Sequence, residues 1–191
     1  MKTIIELCNV NIPNSLHSLY EASLLDEIDD TLSVSSNDLR REAVKKFIKE
    51  YYDVAAPGVK ISATPNKDDK FEVSAKRMVR IKHSKRGDLT KLTNGDFVWT
   101  EVDDKFDISY MINLETLEGA PKYVGGTLFL QECSKLKSLE GFPESVGKKE
   151  RGAMIYINRT GNPKFFTADD VKKVCKHPAE EIYVSDYGEL G

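Results

Sequence analysis

The chain nearly repeats itself across its centre: LETLEGAPKYVGG, beginning at Leu114, returns as LKSLEGFPESVGK, beginning at Leu136, a step of 22 residues (136 minus 114). A fixed period in the twenties constrains the fold strongly, because each unit exposes an apolar edge that only the next unit can cover. The expected architecture is a stack of coils. Such stacks present long surfaces, so the pattern directs attention to binding before chemistry.

Each part of the unit has a physical job. Leu114 and Leu117 point into one narrow core, and Glu118-Gly119 makes a turn in which glycine enters positive φ without steric cost. Pro121 stiffens a return segment, Val124 re-enters the core, and Gly125-Gly126 makes a second turn before Thr127–Gln131, whose alternation marks a strand with one buried face. Stepping back 22 residues places Val102 under Val124, Asp103-Asp104 under Gly125-Gly126, Phe106 under Leu128 and Ile108 under Leu130. Forward, Lys148–Gly152 inserts about five residues before the strand Met154–Ile157, as a loop on one face of a coil. The array therefore has at least three coils.

Helical patterns flank the coils. Leu16, Leu19, Tyr20, Leu24, Leu25 and Ile28 form an apolar stripe at helical spacing. A second helix, capped by Ser36 or Asn37, lines one face with Leu39, Ala43, Val44, Phe47, Ile48 and Tyr51 and is expected to cover the open first coil. At the other end Thr167 caps a short helix, Asp169 and Asp170 suit its positive N-terminus, and Val171, Val174 and Cys175 form its buried stripe. Glu181–Ser185 then forms a last strand. The division expected is 1–34, an N-terminal segment with an amphipathic helix; 35–57, a capping helix; and 58–191, the solenoid with its C-terminal cap.

The unit LxxLEGxPxxVGG followed by a short strand resembles the leucine-rich-repeat-like proteins encoded by large tailed bacteriophages, especially crAss-like phages of gut bacteria. LRREAVKKFIKEYYD, KISATPNKDDKFEVS, LTKLTNGDFVW, KFFTADDVKKVC and EIYV are similar to the same family, so the resemblance runs from about Leu39 to Val184. The chain departs from the pattern in having few repeats, in carrying Phe129 and Leu130 where strand cysteines are frequent, and in the 148–152 insertion. The resemblance implies an α+β fold: a short leucine-rich-repeat-like β-solenoid of about 22-residue coils, with an N-terminal helical cap and a C-terminal helix-strand cap. It also implies a phage context, in the host cytoplasm or associated with the virion. It implies no assigned activity.

Strand alternation nominates a contact surface. If Phe71 and Val73, Val79 and Ile81, Phe106 and Ile108, Leu128 and Leu130, Ile155 and Ile157, and Ile182 and Val184 point inward, then Glu72, Arg80, Asp107, Phe129, Tyr156 and Tyr183 point outward. The last three are aromatic, and aromatic side chains on a solvent face make good anchors for a partner. The expectation is a noncatalytic protein that binds another protein, of host or phage origin, through these six residues. The alternative is that the C-terminal tail or the insertion folds over them.

Other readings compete. Lys76, Arg77, Arg80, Lys82, Lys85 and Arg86 cluster around a short strand and offer a nucleic-acid-binding alternative, which the formal net charge of −3 and the lack of interleaved aromatics disfavour. Leu19-Tyr20-Glu21 before Ala22 is similar to the L-x-E sites at which phage prohead proteases trim internal head proteins, which makes packaged virion cargo, cleaved between Glu21 and Ala22, a second alternative. Antagonism of a host factor is a third. No P-loop, GxGxxG, GxSxG or HExxH motif is present, so catalysis and a cofactor are not expected. Cys8, Cys133 and Cys175 lack disulfide or metal-site spacing. No apolar run approaches the ~20 residues that span a bilayer, and the start lacks the pattern of a signal peptide.

Overall fold

The computed structural model describes residues 36–148, 152–161 and 164–184. The chain divides into two units, 1–39 and 40–191. The expected first helix, Cys8 and the Glu21-Ala22 site lie outside the described residues.

The described part is a β-solenoid of about 4 turns with few helices. Helix α1 spans Ser36–Tyr51 and runs directly into strand β1, Tyr52–Val54. Ten further strands follow: β2 Val59–Ile61, β3 Phe71–Ala75, β4 Val79–Ile81, β5 Phe97–Val102, β6 Phe106–Asp107, β7 Tyr123–Val124, β8 Leu128–Gln131, β9 Ser145–Val146, β10 Met154–Asn158 and β11 Glu181–Tyr183. Helix α2, Ala168–Val174, precedes β11. A six-stranded sheet has the order β1-β4-β6-β8-β10-β11, and a five-stranded sheet the order β2-β3-β5-β7-β9.

Each coil thus gives one strand to each sheet. The return segment, expected as a connecting leg, is itself a strand: Val124 of β7 pairs in parallel with Val102 and Val146. Phe106 pairs with Leu128, the expected 22-residue step (128 minus 106). Leu128 pairs with Ile155, a step of 27 (155 minus 128), longer by the five residues of the insertion. Steps of 27 also separate Val79 from Phe106 (106 minus 79) and Ile155 from Ile182 (182 minus 155). The coil length therefore varies while the strand register is kept, because additional residues can be taken up in the loops.

The third side of the coil carries no strand. Leu89 and Leu92, Leu114 and Leu117, and Leu136 and Leu139 are buried there in successive coils. Their backbones are tied by Glu115 N–H donating to the Thr90 carbonyl and Lys137 N–H to the Glu115 carbonyl. Charged side chains follow the same stacking: Lys137 meets Glu115 at 2.8 Å, holding the Glu115 carboxyl below its ordinary range by hydrogen bonding and charge.

The N-terminal coil is built differently from the rest. β1 pairs antiparallel with β4 and β2 antiparallel with β3, so the chain lays a reversed coil against the first forward one. The sheet begins at Tyr52, earlier than the boundary expected at residue 58, since the helical pattern of α1 continues smoothly into Tyr52. Val44 and Ile48 of α1 are buried, and Phe47 meets Phe97 at 5.8 Å between ring centroids. Tyr52 meets Trp99 edge-on at 5.3 Å and donates its hydroxyl to the Leu92 carbonyl. Burial raises the Tyr52 pKa. Leu39 and Ala43, expected on the buried face, are exposed, and Ser36 and Asn37 lie inside the helix and do not cap it.

At the other end the Thr167 cap is present as a reciprocal box: its hydroxyl accepts from Asp170 N–H while the Asp170 carboxylate accepts from Thr167 N–H. The Asp170 carboxyl is held down at about 2 by its hydrogen bond to Lys173 and then by Thr167. Val171 and Cys175 are buried, but Val174 is 39% exposed, because it lies off the stripe that Val171 and Cys175 share at four-residue spacing. His177 continues the five-stranded sheet by bridging Ser145, and β11 continues the six-stranded sheet by pairing in parallel with β10.

Two glycines show how tightly coils stack. Gly141 has φ +84°, and a Cβ there would lie 2.7 Å from the Leu117 carbonyl oxygen of the preceding coil. Gly95 has φ +95° with open space around it. Positive φ alone costs a non-glycine residue about 1–2 kcal/mol, so Gly95→Ala should lower stability by about that much, whereas Gly141→Ala adds a backbone clash and should lower it clearly more. Chemical denaturation of both variants checks the order; equal effects would mean that the coils do not approach so closely.

Candidate contact surface on the six-stranded sheet

The side chains that alternate outward from the six-stranded sheet fall into one row. Asp53 pairs with Arg80, Arg80 with Asp107, Asp107 with Phe129, Phe129 with Tyr156 and Tyr156 with Tyr183. Five of the six expected contact residues therefore stand side by side, one per coil, across the whole sheet. Their inward neighbours from Val79 to Ile157 are buried, and Ile182 and Val184 are packed against the same core.

Glu72 is the exception. It lies on β3 in the five-stranded sheet, opposite Val98, and so belongs to a different face from the other five. Alternation identifies outward positions strand by strand, but it does not say which sheet a strand joins.

The row has a polar and an aromatic half. Arg80 Nε lies 3.1 Å from Asp53, with both side chains about half exposed, a pair that adds little to stability in water. Asp107 accepts from Ser109 N–H at 2.9 Å and faces Arg86 at 3.5 Å, and the Arg86 guanidinium also covers the Tyr110 ring at 5.1 Å. Beyond Asp107 the rings of Phe129 and Tyr156 stack 5.1 Å apart, 10° from parallel. Tyr183 continues the row at 5.3 Å with its ring tilted by 53°. Phe129 and Tyr156 are half-buried, and Tyr183 is 50% exposed.

The stacking follows from the fold. Neighbouring strands lie about 4.8 Å apart, close to the preferred separation of offset rings. Because Phe129 and Tyr156 cover each other's faces, the row presents ring edges and tyrosine hydroxyls to its surroundings. Flat platforms for a base or a sugar need exposed faces, which this arrangement largely withholds.

A second outward line runs beside the first. Gln131 pairs with Asn158, and Ser109 stands at the matching outward position after β6. Asn158 Oδ1, Ser109 Oγ and Arg86 Nε are buried polar atoms without a hydrogen-bond partner among the described residues. Buried polar groups are normally satisfied, so three unmet groups bordering one aromatic row mark this part of the sheet as unusual. The linear pattern carries only the positions of these residues in the alternation; their missing partners depend on the folded neighbours.

Most of the basic cluster has acidic partners within the chain. Lys76 meets Asp103 at 2.8 Å, Arg80 meets Asp53, and Lys85 meets both Glu50 and Asp88. Arg86 faces Asp107, Lys82 donates to the Lys49 carbonyl, and Arg77 is exposed in the turn between β3 and β4. Two of these residues, Arg80 and Arg86, serve the row on the six-stranded sheet.

Among the described residues no group of three or more His, Cys, Asp or Glu side chains is arranged to hold a metal, and no helix is long and apolar enough to cross a membrane. Cys133 and Cys175 are buried free thiols. Cys133 donates to the Ile108 carbonyl at 3.3 Å, and burial pushes its pKa up to about 12. A thiolate is the reactive form, so Cys133 should resist alkylation at neutral pH until the chain unfolds. Peptide mass mapping after thiol labelling checks this; rapid labelling of folded protein would contradict the packing.

Comparison with protein-family models, curated proteins and solved structures gives no match.

Proposed function

We propose that the chain is a noncatalytic leucine-rich-repeat-like protein of a large tailed bacteriophage, and that it binds another protein through the outward face of its six-stranded sheet. The observation that carries this reading is the single row Arg80-Asp107-Phe129-Tyr156-Tyr183, which ends in three contiguous aromatics. Large, rigid side chains held in place by their neighbours lose little entropy on contact, which favours them as anchors. The charged half, Arg80 and Asp107, supplies orientation beside them.

Edge-presenting rings favour a protein partner over stacked bases. The acid partners of Lys76, Arg80, Lys85 and Arg86 weigh the same way, since cations already neutralised within the chain offer less to phosphates. The site of this chain in the host cytoplasm or the virion follows the same phage reading.

The test is affinity purification of the full chain from infected cells beside a variant with Phe129, Tyr156 and Tyr183 all replaced by Ser. The wild-type chain should retain a defined host or phage protein that the triple variant loses, while both keep the same circular-dichroism spectrum. Equal retention by both chains would remove the row from the contact. By contrast, Leu128→Ala acts on the buried face of the same strand and should cost about 2–5 kcal/mol of stability.

A further inference from the structure

The two ends of the six-stranded sheet are complementary. At the C-terminal end β11 is the last strand, and its inward residue Ile182 is only partly buried, whereas the corresponding Ile155 and Leu128 are almost fully covered. Tyr183 ends the aromatic row there, half exposed. Glu180 and Glu181 are exposed, and among the described residues neither has an ion-pair partner.

At the N-terminal end β1 is the last strand, and a cleft of about 640 Å³ opens beside it. Its lining includes Lys45, Lys49, Arg80 and Lys82 but a single carboxylate, Asp53; within the chain Lys45 pairs with Glu42 and Arg80 with Asp53, while Lys49 and Lys82 have no ion pair among the described residues. The Ala55 N–H donates to Met78 and the Tyr51 carbonyl accepts from Lys82. This antiparallel phase turns the backbone N–H and C=O of Val54 away from β4 and toward the open side. One end is therefore an acidic strand edge and the other a basic cleft along a strand edge. Among the described residues no further strand pairs with either edge, and an unpaired strand edge is a ready template for pairing.

We propose that copies of this chain associate end to end, the Glu181–Tyr183 edge of one copy pairing beside Tyr52–Val54 of the next, with Glu180 and Glu181 set against Lys45 and Lys49. Because β1 runs opposite to the parallel strands, the new pair is antiparallel when the two sheets run on in line. The join covers Ile182 and continues the outward row from Tyr183 to Asp53 of the neighbouring copy, where the tyrosine hydroxyl can donate to the carboxylate. The contact is heterologous, and with the two sheets run on in line it leaves a free end on each assembly and does not stop at a dimer.

Sedimentation analysis of the full chain tests this across increasing protein concentration, at low and at high salt. The mean mass should climb past that of a dimer at low salt and fall back at high salt, as screened charges predict. The variants Lys45→Glu with Lys49→Glu, and Glu180→Lys with Glu181→Lys, should each remain monomeric alone. Their mixture should regain association, because each supplies the charge that the other lacks, and this recovery also shows that both variants are folded. A wild-type chain that stays monomeric, a mass that stops at a dimer, or association that neither variant alters would overturn the proposal.

Discussion

Parallel pairing between successive coils is the constraint on which everything else in this protein depends. A hydrogen-bonded ladder forces each strand to place its residues beside their counterparts one coil away, at a spacing close to 4.8 Å. The loops absorb differences in coil length, so steps of 22 and 27 residues coexist in one sheet without loss of register. The apolar inward residues then form a continuous column from Val79 to Ile157. The outward residues form an equally continuous row, and that row is where composition becomes surface chemistry.

The ladder makes like residues neighbours whether or not they attract. Phe129 and Tyr156 benefit, because strand spacing and ring stacking agree. Glu115 and Lys137 benefit too, as opposite charges one coil apart. The same closeness leaves no room at Gly141, whose missing Cβ is what lets the turn approach the Leu117 carbonyl. Stability and surface pattern thus have one origin, and a residue's role is set as much by its counterpart in the next coil as by its own sequence neighbours.

Much of this architecture is legible in the amino-acid sequence. The repeat LEGxPxxVG exposes the 22-residue step, and alternation in Leu128–Gln131 and Met154–Ile157 separates the more buried from the outward residues, whereas Thr127, at an outward position, is buried. The second sheet is not legible, because strands of two residues, such as Tyr123–Val124 and Ser145–Val146, are too short to alternate. Glu72 lies on the five-residue β3, where alternation is plain but does not say which sheet the strand joins, so it is grouped with a row to which it does not belong. The reversed first coil is hidden as well, since Tyr52 continues the apolar spacing of α1. The unmet polar atoms of Ser109, Asn158 and Arg86 arise from folded surroundings and leave no mark in a linear pattern.

The shared row of Asp107, Phe129, Tyr156 and Tyr183 is fixed by register, and cross-linking reads register directly. A disulfide needs Cα atoms no more than about 6.8 Å apart, which adjacent paired positions satisfy and diagonal ones do not. Oxidation of the Phe129→Cys, Tyr156→Cys double variant should give a 129–156 bridge by mass mapping, while Gln131→Cys with Tyr156→Cys, two residues out of register on the same face, should give none. A bridge in the second variant and not in the first would show that the coils are stacked differently and that the row does not exist.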